Sequence, residues 1–129
     1  MIVRTLSAPD GVEQTETTAL VDWNALEIQF RGKTRFVTGL AEKALKNYRL
    51  GVVQLRSLAA GEGDCAEIAF LAHSIKGTAG SLKALRVHAL AARTDMAARA
   101  AEPGCRALAE ELAELLDRLI AELEVRVGG

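Results

Sequence analysis

An all-α fold, an antiparallel four-helix bundle with a short additional N-terminal helix, is predicted by three features of the sequence. Ala and Leu dominate a chain that is half apolar and only 4% aromatic, a balance that favours packed helices over a sheet. Apolar residues recur at threes and fours along several long segments, the spacing of one helix face. No alternating Val, Ile and Thr run extends beyond a few residues, so strand signals are almost absent. With 129 residues the chain has the size of one domain with one core.

Residues 1–19 read as a polar leader or the end of a linker, with Pro9, Asp10, Gly11 and the run Glu13 to Thr18. The bundle proper is expected over 20–127. Asp22 can cap a short helix that puts Trp23, Leu26 and Phe30 on one face, and Gly32 breaks it. The longest helix is expected from about Thr34 to Ala60, with Val37, Ala41, Leu45, Tyr48, Val52, Leu55 and Leu58 in its stripe and a possible bend at Gly51. Gly61, Glu62 and Gly63 make a turn, and Asp64 with Glu67 forms a capping-box-like start to the next helix. That helix ends near Ser81 to Lys83. A fourth runs from about Leu85 to Ala101, with Leu85, Leu90, Thr94 and several alanines for close packing. Pro103 suits the first turn of the last helix, whose stripe is Leu108, Leu112, Leu115, Leu119 and Leu123, and the two terminal glycines are expected to fray.

Several function classes are excluded at this level. A net charge of −1 offers no general attraction to nucleic acid or an anionic membrane. The apolar runs are far shorter than the ~20 residues that span a bilayer, and the N-terminus lacks the pattern of a secretory signal. Cys65 and Cys105 have no CxxC spacing and read as unpaired thiols of a cytoplasmic protein, with a disulfide as the alternative. Neither a Gly-rich phosphate loop nor a dinucleotide fingerprint is present, so the chain is not expected to use ATP by itself.

The unusual chemistry lies at His73-Ser74-Ile75-Lys76-Gly77-Thr78-Ala79-Gly80-Ser81-Leu82. On a helical wheel Ile68, Leu71, Ala72, Ile75, Thr78, Ala79 and Leu82 form a core stripe. Ala66, Ala69, Phe70, His73, Gly77 and Gly80 fall opposite, with Lys76 at the edge. Each interior glycine costs about 1 kcal/mol relative to alanine, so helix stability would not select Gly77 and Gly80. Bare backbone one and two turns from an imidazole instead lets a second macromolecule approach it. Lys76, three residues on, can set its ammonium beside whatever the ring carries. Nucleophile, cation and open access point to a phosphoryl group.

These residues resemble the signature of histidine-containing phosphotransfer domains, the relay modules of multistep bacterial two-component signalling. The family pattern is His, any, apolar, Lys, Gly, small, Ala or Ser, followed by apolar, glycine and alanine positions. The sequence matches through Leu82 and again at Ala84, and Lys83 stands where a glycine is usual. A looser likeness in the order of apolar helices extends from about Asp22 to Arg126. The resemblance implies that His73 accepts a phosphoryl group from the aspartate of a receiver domain in a hybrid sensor kinase and passes it to a response-regulator aspartate. Lys76 would stabilise its charge and Gly77 would keep the approach open. Candidate partner-binding residues are Ala69, Phe70 and Gly80, although a tilt of the helix would bury Phe70 instead. No cofactor is expected on this chain, since Mg²⁺ belongs to the partner receiver, and the module is expected to be a cytoplasmic monomer.

Two other readings fit the same motif. One is a phosphotransfer domain of a larger hybrid or chemotaxis-type kinase. The other is an adaptor that binds receivers without carrying phosphate. His88, Asp95 and the Glu110-Glu111 pair read as solvated surface.

Overall fold

The computed structural model describes residues 19–128; the expected leader falls, except for Ala19, outside the described residues. The fold of those residues is all-α, with five helices and no strand among them. We label them α1 (Trp23–Gln29), α2 (Thr34–Ala59), α3 (Cys65–Ser81), α4 (Leu85–Arg99) and α5 (Cys105–Gly128). Helix α3 lies chiefly against α4, and α2 against α5, while smaller contacts join α4 with α5, α2 with α3, α3 with α5 and α1 with α2.

The stripes read from the sequence form the core. Val37, Ala41, Leu45, Tyr48, Val52, Leu55 and Leu58 of α2 are buried against Leu112, Leu115, Leu116, Leu119 and Leu123 of α5 and Ile68, Ala72, Ile75 and Ala79 of α3. Gly51 is part of the buried face of α2 and does not interrupt it. The Tyr48 hydroxyl sits 2.7 Å from Thr78 Oγ1. Burial pushes the phenol up to about 12, although the bond to Thr78 pulls the other way. Exposed Arg49 pairs with Glu124, and Arg56 with Glu110 and Asp117, across α2 and α5; such pairs add little individually.

Helix starts and stops have local causes. Asp22 Oδ1 accepts the Ala25 N–H at 3.0 Å and Asp64 Oδ1 the Glu67 N–H at 3.1 Å, so both expected caps form. After α3 the Lys83 N–H bonds the Gly80 carbonyl and the Ala84 N–H bonds Ala79, a Schellman ending. It needs a left-handed residue, and Lys83 supplies it at φ 59°. The departure from glycine therefore keeps the loop shape and adds strain. Arg31 (φ 54°) and Ala101 (φ 53°) close α1 and α4 the same way, while α2 uses Gly61.

The N-terminal segment is tied to α5 by one carboxylate. Glu122 accepts the N–H of Leu20 at 2.6 Å, of Val21 at 3.0 Å and the Trp23 indole N–H at 2.9 Å. Arg126 lies over the Trp23 ring, 4.6 Å from its centre, and bonds Glu27.

Two expectations are corrected. Leu85 is exposed rather than packed, because α4 turns Val87, Ala91, Thr94 and Ala98 inward. Pro103 precedes α5, which begins at Cys105. Gly128 is the last residue of α5, and Gly129 lies outside the described residues.

Candidate functional site

His73 sits in the middle of α3, two turns from its Asp64 cap, on the side away from Ile68, Ala72, Ile75 and Ala79. Its side chain is 59% exposed. The ring is nevertheless held from the neighbouring helix. Asp95 of α4, only 5% exposed, places Oδ2 3.3 Å from His73 Nδ1. The other oxygen of Asp95 accepts from Arg99 Nε at 2.7 Å, one turn further along α4. An Arg99 terminal nitrogen also comes to 3.5 Å from His73 Nδ1.

The electrostatics favour a charged Asp95 behind the ring. Burial alone would oppose ionisation of Asp95, but the hydrogen bonds and charges of Arg99 and His73 outweigh it. The carboxyl is held below the ordinary aspartate value. An ionised carboxylate can only accept, so the His73 tautomer that bonds Oδ2 is the one with its hydrogen on Nδ1. In that tautomer Nε2, at the far edge of the ring, is the nitrogen that offers a lone pair. A base-orienting carboxylate behind a nucleophilic nitrogen is the arrangement covalent catalysis calls for.

Lys76 lies one turn on, is half-buried, and forms no ion pair among the described residues. At Gly77 an added Cβ would meet nothing within 4 Å. The missing side chain therefore serves no contact within the described residues, and the space above it is open to a visitor. No group of three or more His, Cys, Asp or Glu side chains gathers as metal ligands among the described residues.

The family model of the Hpt domain matches residues 40–122. The chain belongs to the Hpt domain family. Its members are histidine phosphotransfer modules of phosphorelays and interact with receiver domains. The match spans most of α2 through most of α5, and so includes both His73 and Asp95. No curated protein and no solved structure matched the chain.

The Hpt domain departs from the wheel at two of the six expected site positions. Ala69 is buried, and Gly80 is half-buried. A wheel assigns a helix one inner face, whereas α3 is packed from α2, α4 and α5 together. The broad contact with α4 takes in its flank at Ala69 and Gly80. A Cβ on Gly80 would come 3.1 Å from the His88 ring. His88, expected in solvent, instead places Nδ1 2.9 Å from the Lys76 carbonyl. Gly80 is thus small because α4 presses a histidine against it, which corrects its outward placement.

Phe70 is 77% exposed, so the option that a tilt buries it is not realised. It stands between two grooves of the Hpt domain. One, of about 530 Å³, runs between α3 and α4 past Cys65 and Ala66 to His73 and Arg99. The other, of about 680 Å³, lies between α2 and α3 and is walled by Val53, Ser57, Leu58 and Leu71. Sequence reasoning missed Asp95, taking it for a surface acid. A signal was present: Asp95 falls four after Ala91 and three before Ala98, inside the buried stripe of α4. Acids in that position are rare unless paired.

Proposed function

We propose that this chain is a phosphorelay intermediate that takes a phosphoryl group on His73 from a receiver-domain aspartate of a hybrid sensor kinase and gives it to a response-regulator aspartate. The observation that carries the reading is an exposed imidazole whose Nδ1 is occupied by Asp95. His73 Nε2 attacks the phosphorus of an aspartyl phosphate; the N–P bond forms, the P–O bond to the aspartate breaks, and the carboxylate leaves. The positive charge that develops on the ring is met by Asp95 through the Nδ1 hydrogen. Lys76 balances the added charge, about −1.5 to −2 for a protein phosphate. The second transfer reverses these steps toward a new carboxylate.

Receiver docking is assigned to the outer face of α3 and the adjoining face of α2. Phe70, with exposed Val53 across the α2–α3 groove, supplies an apolar patch next to the nucleophile, and Gly77 admits the receiver's phosphorylated loop. Mg²⁺ and the acceptor carboxylate come with the receiver, and the chain has no ATP site of its own. The architecture proposed for residues 20–127 is an antiparallel four-helix bundle carrying the short N-terminal helix, acting as a monomer in the cytoplasm. No helix of the described residues is long and apolar enough to cross a membrane.

Incubation with a phosphorylated receiver tests this reading. Acid-labile, base-stable label should appear on the wild-type chain and be absent from His73→Gln. Label retained in that variant, or none on the wild type with any receiver of the source genome, rules it out.

A further inference from the structure

Cys65 and Cys105 are 40 positions apart in sequence and each opens a helix, α3 and α5. Their Sγ atoms nevertheless meet at 3.2 Å. A disulfide is about 2.05 Å long, so closing one asks the sulfurs to approach by roughly 1.1 Å. The two thiols differ in access. Cys105 is 1% exposed, whereas Cys65 is only half-buried and lines the α3–α4 groove that opens to solvent beside Phe70. Burial, with the neighbouring Cys65, pushes the Cys105 thiol up. No third ligand joins them to make a metal site among the described residues.

We infer that Cys65 and Cys105 are a dithiol that oxidises reversibly to an intramolecular disulfide, with a peroxide as the oxidant. The Cys65 sulfur attacks one peroxide oxygen; the O–O bond breaks and Cys65 becomes a sulfenic acid as water leaves. The Cys105 sulfur then attacks the sulfenic sulfur, forming S–S, breaking S–O and releasing a second water. Two thiols lose two electrons and two hydrogens, and one peroxide becomes two waters. The product staples the first turns of α3 and α5, which otherwise share only a small contact. The inference is independent of phosphotransfer, since it uses neither His73 nor any receiver.

Hydrogen peroxide added to the reduced full-length chain tests it. Intact mass should fall by two hydrogens with no interchain dimer, both thiols should become unreactive to maleimide under denaturing conditions, and dithiothreitol should restore them. Cys65→Ser, altered at the groove rim rather than in the core, should keep its Cys105 thiol after the same treatment. A wild-type chain that gains oxygen atoms, cross-links only between chains, or keeps both thiols under peroxide that oxidises free cysteine would overturn the inference.

Discussion

At the scale of single residues the centre of the molecule is the contact between His73 and Asp95. Asp95→Asn keeps an acceptor near Nδ1 but removes the charge that opposes the positive ring and the partner of Arg99. A charge-assisted hydrogen bond contributes about 1.5–3 kcal/mol, so its loss in the transition state should slow phosphorylation of His73 about 10- to 100-fold, read as the rate of label transfer from a receiver. The same carboxylate sets an acid limit on stability. Because its folded pKa lies below the unfolded value of about 3.9, its contribution is complete above that pH and is lost as pH falls through the folded pKa. Urea melts between pH 5 and 2 should therefore show a shallower acid decline for Asp95→Asn than for the wild type. His73, Lys76 and Gly77 were legible in the sequence because their spacing within one helix carries the chemistry. Asp95 and His88 were not, because their roles arise across α3 and α4, and a lone acid or histidine on a helix ordinarily faces water.

Helix α3 shows stability and function pulling in opposite directions. Gly77→Ala fills open space and should stabilise the fold by about 1 kcal/mol, while the new methyl obstructs the approach to Nε2 and slows transfer. A variant that melts higher and phosphorylates more slowly would separate access from folding in one experiment. The end of α3 makes a second case. Holding lysine at φ 59° costs about 1–2 kcal/mol, and glycine's extra freedom in the unfolded chain returns about 0.5–1 of it. Lys83→Gly should thus raise stability by about 0.5–1 kcal/mol in a denaturant titration. Helix starts were readable because Asp22 and Asp64 cap through their own side chains. Three of the four helix ends joined by loops were less readable, because Arg31, Lys83 and Ala101 take up a conformation that the sequence advertises only when glycine occupies it.

Across the whole molecule the apolar stripes of α2 and α5 announced the core, since each is periodic over many turns. The attachment of the N-terminal segment was not announced. It depends on Glu122 gathering two backbone N–H groups and the Trp23 indole about a hundred positions upstream. Glu122→Ala leaves those donors without their acceptor and should cost about 2–3 kcal/mol, with a shift in Trp23 fluorescence preceding loss of helicity on heating. The bond from His73 to Asp95 carries a consequence of its own, because its two ends belong to separate helices. A synthetic peptide copying Cys65 to Ala84 would own every matching letter of the signature and still lack the Asp95 carboxylate behind its histidine. Reactivity here is a property of register between two rods, and it would vanish on sliding one past the other by a single turn while every residue stayed in place along its chain.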